Sequence, residues 1–383
     1  MRHHNSVLHE LTKQIPWRTF ERLVNEHRAD WRVRRLSTKS QLIALLYGQL
    51  SGAVSLREIE SGLESHAARL YHLGTSQASR STLADANARR PSAVFAGLLS
   101  AMIAQAERGF RRKIGEAVRL IDSTAIRLSG LSGWAQFSAD VCGAKLHVVY
   151  DPDADRPLYV AITTARVNDI TPAKAMPIEA GATYVFDLGY YDFGWWADLD
   201  AKGCRIVTRL KKNTPLAVVE ERSALQGSAI LSDRIGHLPA RMAGSRKNPF
   251  ADPVREVRVA TETGKHLRIL TNDLDTPAEE IAELYKRRWQ VELFFRWIKQ
   301  TLKIGHFLGT SENAVRIQIA VALIAFLLLR LAQAAAGILR SPLAFARLVR
   351  ANLMHRRSID HLIGPAPPVK TDPRQLAFDI PQT

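Results

Sequence analysis

Leu42, Leu45 and Leu46 recur at helical spacing ahead of Gly48 and Gly52, and similar periodicity predicts helices through residues 1 to about 110. Ser55-Leu56-Arg57-Glu58 is a capping box, in which a hydroxyl accepts from a backbone N–H three residues on and the Glu reaches back. It opens a helix carrying Ile59, Leu63, Ala67 and Leu70 on one stripe and stopping near Gly74. Ser79-Arg80-Ser81-Thr82 offers a second cap, leading into 83–90. Pro91 ends that helix and starts the next, Val94 to Ile103. A helix, a short Gly-containing turn and a second helix carrying Arg80, Arg89 and Arg90 suit a DNA-binding helix-turn-helix. They suit equally a helical bundle with an Arg-rich solvated face, and the basic run Trp31-Arg32-Val33-Arg34-Arg35 shares that ambiguity.

Near residue 117 the pattern changes. Ala117-Val118-Arg119-Leu120-Ile121 is a short apolar run ending at Asp122; 145–150 and 158–162 follow as strands, and Thr183-Tyr184-Val185-Phe186 ends at Asp187. A helix over Trp195 to Ala201, closed by Gly203, leads to a strand over 204–209. Three strands, a crossover, then strand, helix and strand describe a mixed α/β domain. Residues 211–275 read as mostly β, with Val254, Val257 and Val259 among charged neighbours. Helical signals return at Thr276-Pro277-Ala278-Glu279-Glu280, run to about Leu302 and resume in an apolar helix over about 314–338. The prolines after Gly364 imply an extended or disordered tail. The expected division is a helical DNA-binding domain (1–110), an α/β domain (115–305) with a β-rich insertion (211–275), C-terminal helices (306–363) and a Pro-rich tail (364–383).

Charge adds a partner class. Fifty-three Lys+Arg against 37 Asp+Glu give a formal +16 and a pI near 10.1, which points to a polyanion, most commonly nucleic acid. A basic protein without such a partner is the plainer alternative. Cys142 and Cys204 are isolated, so neither a disulfide framework nor a zinc site is suggested. The N-terminus lacks an apolar signal-peptide core. The longest apolar run, eleven residues over 319–329 between Arg316 and Arg330, is too short to span a bilayer and reads as a buried helix. A cytoplasmic location is expected.

The chemistry rests on three carboxylates. An Asp after a strand is commonly a turn or capping residue, so neither Asp122 nor Asp187 is informative alone. If their strands are neighbours, both project from one sheet end and can share a divalent cation, for which hard oxygen ligands suit Mg2+. Glu292 lies in the string Tyr285-Lys-Arg-Arg288-Trp-Gln-Val-Glu292-Leu-Phe-Phe-Arg296-Trp-Ile-Lys299. At ~100° per residue, Tyr285, Arg288, Glu292, Arg296 and Lys299 fall within an arc of about 80°, with Leu293, Phe294, Trp297 and Ile298 expected over the opposite side. A salt-bridged solvated face explains the charges but not four basic or aromatic partners around one Glu.

The spacing Tyr285-x2-Arg288-x3-Glu292-x6-Lys299 resembles the signature of DDE transposases of bacterial insertion sequences, in the IS-four family related to the Tn-five and Tn-ten enzymes. Asp122-Ser123-Thr124 resembles the family's first Asp region and Asp187-Leu188-Gly189-Tyr190 its second, so the resemblance covers about 115–305. It implies an RNase H-like fold, with the first Asp on the first strand, the second after the fourth strand, and the Glu on a late helix after a β-rich insertion. The separation of 105 positions from Asp187 to Glu292 leaves room for that insertion. The implied activity is metal-dependent cleavage of double-stranded DNA at element ends, followed by transfer of 3′-OH ends into target DNA. Asp122, Asp187 and Glu292 would hold two Mg2+ ions, with Mn2+ as a substitute. Arg288, Arg296 and Lys299 would hold backbone phosphates and Tyr285 would position one.

A homodimer on two DNA ends is expected, associated with the bacterial nucleoid; the C-terminal helices, including 314–338, are candidates for the contact, against plain core packing. Hairpin-forming relatives stack a flipped base on a Trp of the insertion. Residues 211–275 hold no Trp and only Phe250 as an aromatic, leaving Trp289, Trp195 and Trp196 as substitutes. The rival readings are an inactive transposase acting as a DNA-binding regulator, and an RNase H-like nuclease that cuts without joining.

Overall fold

A computed structural model describes residues 5–107, 117–138, 141–222, 229–241, 247–261, 264–301, 307–338 and 341–362; the Pro-rich tail lies outside the described residues. Strand β1 (Val118–Leu128) pairs antiparallel with β3 (Val141–Asp151), and β3 antiparallel with β4 (Arg156–Thr164). On its other side β1 pairs parallel with β5 (Thr183–Val185), and β5 parallel with β6 (Arg205–Arg209). Three antiparallel strands followed by two parallel ones form the expected RNase H-like arrangement. The short β2 (Gln136–Ser138) pairs with the start of β3.

The β-rich segment extends this same sheet. Strands β7 (Ala217–Arg222), β8 (Ile230–His237), β9 (Val254–Ala260) and β10 (His266–Thr271) are joined antiparallel in sequence, and β10 pairs antiparallel with β6. The described strands form one ten-stranded sheet. One expectation fails locally: β1 does not end at Asp122 but runs on to Leu128, with Asp122 opposite Val148. The polar Ser123-Thr124 pair hides this continuation, which rests on pairing with β3 rather than on an apolar run.

Side chains alternate across a strand, so the central strands, covered on both faces, carry continuous apolar runs. Leu120, Val185, Val207, Val257 and Ile269 face one core, shared with the large helical body. Ile121, Tyr184, Phe186, Ile206 and Leu270 face the other. That second core is closed by α8 (Ile170–Ala175) and by α9 (Phe193–Asp200), whose Trp195, Trp196 and Leu199 are fully enclosed.

The helical body joins both ends of the chain. Its N-terminal part is α1 (Val7–Thr12), α2 (Trp17–Glu26), α3 (Thr38–Ser51), α4 (Leu56–Glu64), α5 (Ala67–Leu70), α6 (Arg80–Arg89) and α7 (Ser92–Glu107). The later helices are α10 (Ala278–Arg287), α11 (Trp289–Thr301), α12 (Glu312–Ala335) and α13 (Pro342–Asn352). The capping box forms: Ser55 accepts from Glu58 N–H at 3.1 Å, and the Glu58 carboxylate accepts from Val54 N–H at 2.9 Å. The stripe expected to continue to Leu70 breaks after Glu64, resumes as α5, and closes at Gly74 with φ +63°, a conformation that favours glycine.

Helix α12 packs against α7, α3, α6, α1, α13 and α11. Its Asn313 side chain donates to the carbonyls of Asn87 and Arg90 and accepts from Ser92 N–H, pinning it to the α6–α7 junction. By length and composition this 24-residue helix passes as a membrane span, but 83% of its most apolar window is buried inside the fold. Each enclosed Leu or Ile there contributes roughly 1.5–3 kcal/mol, so the apolar surface of 314–338 serves the internal core and is not free for a second protomer.

Candidate active site

Strand register builds the first part of the site. Leu120 pairs with Val185 and Val185 with Val207, all in parallel. Two residues further along, the row becomes Asp122, Asp187 and Arg209, on the face that their predecessors share. Beyond the end of β5, Phe186 N–H still donates to Val207 O at 3.2 Å, so the row is held. Asp187 keeps an extended backbone, and its Oδ1 accepts from Gly189 N–H at 2.8 Å, which fixes the carboxylate at the start of a 3-10 turn over Leu188–Tyr190. With neighbouring strands ~4.8 Å apart, the two carboxylates stand side by side.

Glu292 comes from above. The single helix expected over 276–302 is interrupted at Arg288, where Arg288 N–H bonds Tyr285 O and Val291 N–H bonds Arg288 O, at 3.1 and 3.2 Å. The two consecutive arginines diverge at this tight turn. Arg287 pairs with Asp153 in the β3–β4 turn. Arg288 enters the cleft, with Nη1 3.1 Å from Asp122 Oδ2 and Nη2 2.7 Å from Glu292 Oε1. Val291, Phe294, Phe295 and Ile298 bury the opposite side of α11. Leu293, expected on that apolar side, is 46% exposed, because it lies about 100° round from Glu292, flanking the polar arc.

Asp122, Asp187, Arg288, Glu292, Arg296 and Lys299 line one cleft of about 510 Å³. Burial pushes the Asp122 carboxyl up to about 6, and the nearby Asp187 and Glu292 charges push the same way. The Ser123 N–H at 2.8 Å and the Arg288 guanidinium oppose this only in part. Of the three cations lining the cleft only Arg288 touches the carboxylates among the described residues, and their hard oxygen donors suit a divalent cation. Among the described residues, no three acidic, His or Cys side chains converge closely enough to hold a metal as they stand. Arg288 occupies the space between Asp122 and Glu292.

Around the carboxylates, Arg296 and Lys299 are exposed on α11, and neither forms an ion pair among the described residues. Desolvation lowers the Lys299 ammonium. Tyr285 is 9% exposed, its phenol raised by burial, with the Arg288 guanidinium 6.0 Å from its ring centre.

A supporting layer escaped the sequence. Asp169 accepts from Ser123 Oγ at 2.8 Å and from Lys145 Nζ at 3.1 Å, tying the loop before α8 to β1 and β3. Burial holds the nearby His147 imidazole down near 4, so it is neutral at pH 7, and its Nε2 meets Thr163 Oγ1 at 2.8 Å. Tyr190, buried behind the Asp pair, is raised well above the usual phenol range by burial and then by Asp122, Asp169 and Asp187. Asp169 sits in no motif; only the β1–β3 register, which sets Ser123 opposite His147 and Ala125 opposite Lys145, brings these groups together.

On α6, Arg80 and Arg89 are exposed, but Arg90 is not available to DNA. It is 7% exposed, donates to Gln41 Oε1 at 3.1 Å and to the Leu36 carbonyl, and has its pKa lowered by burial. Pro91 forces the preceding residue out of the helix, to ψ 139°, and this turns the Arg90 side chain into the core. Trp195 and Trp196 are 1% and 0% exposed and cannot stack a base. Trp289, 51% exposed, borders a groove of about 1120 Å³ between β8–β10 and α10, beside Arg288.

The family of the transposase DDE domain matches residues 113–328, and a domain of unknown function (DUF4372) matches 3–76. A putative transposase, y4zB, of Sinorhizobium fredii is 44% identical over 307 residues, covering 77% of this chain and 85% of the relative. A probable transposase for the insertion sequence element IS5377 of Geobacillus stearothermophilus is 31% identical over 245 residues, 63% of each chain. Among solved structures, a piggyBac transposase synaptic complex with hairpin DNA aligns over 94% of this chain and 80% of its own, at 12% identity and a TM-score of 0.44. With more than half of its length matched by the DDE domain and a 44% identical transposase relative, the chain belongs to the DDE transposases, enzymes that act on DNA and use divalent metal ions.

Proposed function

We propose that Asp122, Asp187 and Glu292 are the catalytic carboxylates, that together they hold two Mg2+ ions (Mn2+ substituting), and that the site cuts DNA at insertion-sequence ends and joins the 3′-OH ends to target DNA. The observation that supports this most is the parallel register setting Asp122 beside Asp187, with Glu292 reaching the same cleft through Arg288. When bound, the ions activate a water or 3′-OH and neutralise charge developing on the phosphate. The chain's own groups do the rest. Asp122, raised to about 6, is largely ionised above pH 7 and able to accept a cation. Arg296 and Lys299 offer unpaired positive charge to backbone phosphates along α11. Arg288 adds a third phosphate contact once released from Asp122 and Glu292, and Tyr285 positions the strand beside it.

Exposed Arg80 and Arg89 on α6 would hold duplex backbone away from the cleft. Two element ends require two active sites, so the working form is a homodimer on DNA, in the cytoplasm at the nucleoid. The test is joining. A pre-cut duplex reproducing the DNA that flanks this chain's reading frame, with a free 3′-OH, is incubated with plasmid and Mg2+. Joined product is expected from the native protein and none from Glu292→Gln. Cutting without joining under any divalent metal would make it a nuclease instead.

A further inference from the structure

Arg209 differs from its neighbouring arginines on β6, β9 and β10. Arg205 holds Asp273, Arg255 holds Asp233, and Arg258 and Arg268 both hold Glu256, at 2.6–2.8 Å. Arg209 holds no carboxylate among the described residues, and its enclosed Nε has no hydrogen-bond partner. A partly desolvated guanidinium with an unmet donor is unfavourable for folding alone. Its position is specific: it continues the row Asp122, Asp187 by one strand, on the same face. The cations of α11 lie over β1, whereas α10 lies over β6 and β10. Arg209 is therefore on the far side of Asp187 from Arg296 and Lys299, next to Tyr285, whose phenol feels its charge.

The loop that follows is rigid. Arg268 Nη1 donates to the carbonyls of Lys211, Lys212 and Thr214 at 2.8–2.9 Å, while Glu256, 1% exposed, holds its guanidinium. Lys211 Nζ rests 4.2 Å from the Tyr191 ring centre. The backbone that follows Arg209 is thus held in place, and a guanidinium fork fits two phosphate oxygens.

We propose that Arg209 grips a phosphate of the DNA strand on the β6 side of the carboxylates, so that the strand crosses the cleft between two cationic walls: Arg209 on one side, Arg296 and Lys299 on the other. This rests on the reading of Asp122, Asp187 and Glu292 as the catalytic site. The test uses the full chain carrying Asp187→Ala, with and without Arg209→Gln or Arg209→Lys, binding the labelled flank duplex over a KCl series. Removing one phosphate contact lowers the slope of log K against log[KCl] by about 0.9 and weakens binding on the order of tenfold, and Arg209→Lys keeps the slope. A merely structural Arg209 would shift the melting temperature and leave the slope alone. An unchanged slope in Arg209→Gln overturns the proposal. An Asp187→Ala chain that still cuts with Mg2+ sinks the triad reading instead, and the slope decides Arg209 independently. Failure of the Asp187→Ala chain to bind the duplex at all overturns both.

Discussion

On β7 to β10 every arginine holds a carboxylate: Arg222 with Glu220, Arg234 with Glu221, Arg255 with Asp233, Arg258 and Arg268 with Glu256. By contrast, Arg209 at the end of β6, and Arg296 and Lys299 at the cleft, have no such partner among the described residues, and Arg288 has two, both candidate catalytic carboxylates. Composition cannot separate these groups, since both regions read as basic. Pairing can: an arginine whose charge is answered inside the fold contributes to stability, while one left unanswered beside an acidic cleft is free to meet phosphate. The net +16 of the chain therefore overstates the DNA-facing charge of the sheet extension and understates its concentration at the cleft.

The largest effect should come from the paired side. Arg255 and Asp233 are 3% and 8% exposed, so Arg255→Met leaves a buried carboxylate unpaired and should cost about 3–5 kcal/mol, read by urea denaturation. Adding Asp233→Leu should restore much of it. Loss of less than about 1 kcal/mol in the single variant would mean that the pair is not structural.

Next comes Asp122. Its folded value of about 6 lies above the ordinary aspartate value of 3.8, so between those values the folded chain keeps a proton that the unfolded chain has lost. Metal-free stability from this group is highest below about pH 4, falls as the pH rises towards 6, and is level above. The difference is on the order of 3 kcal/mol. Melting temperatures in EDTA from pH 4 to 8 should show this decline in the native protein and a flatter profile in Asp122→Asn. Parallel profiles contradict the buried, like-charged setting.

On the unpaired side, Arg296→Ala should weaken DNA binding by roughly tenfold at moderate salt while changing stability by no more than about 0.5 kcal/mol. A stability loss without a binding loss would reverse its assignment. Arg89→Ala, on the exposed face of α6, should have the smallest effect, a factor of a few in affinity with an unchanged melting temperature. Arg90→Ala, by contrast, should destabilise through loss of its buried bonds to Gln41 and Leu36.

Much of this architecture was legible in the sequence where a local pattern carried it. Apolar runs marked β1, β5 and β6 because both sheet faces are covered, and the caps at Ser55 and Ser79 marked their helices. What stayed hidden depends on tertiary partners. No Gly or Pro announces the break at Arg288; it accompanies the divergence of Arg287 to Asp153 and Arg288 to Asp122. In sequence Arg90 is indistinguishable from Arg80 and Arg89; Pro91 turns its backbone out of the helix, and only the folded positions of Gln41 and Leu36 make that turn an inward one. Arg209 read as the end of a strand, since nothing local tells that β6 aligns with β5 in the register that adds it to the Asp row. Motif spacing located the candidate carboxylates, and strand pairing alone located the groups that support them.

The most direct test is cleavage of a supercoiled plasmid carrying the native flanks, with and without Mg2+, by the native chain and by Asp187→Ala. Nicking at the element boundaries that needs Mg2+ and vanishes in Asp187→Ala is the predicted result. Specific binding with no cutting in Mg2+ or Mn2+ by either protein, or cutting that survives Asp187→Ala, would contradict the assignment of the paired aspartates as the reaction centre.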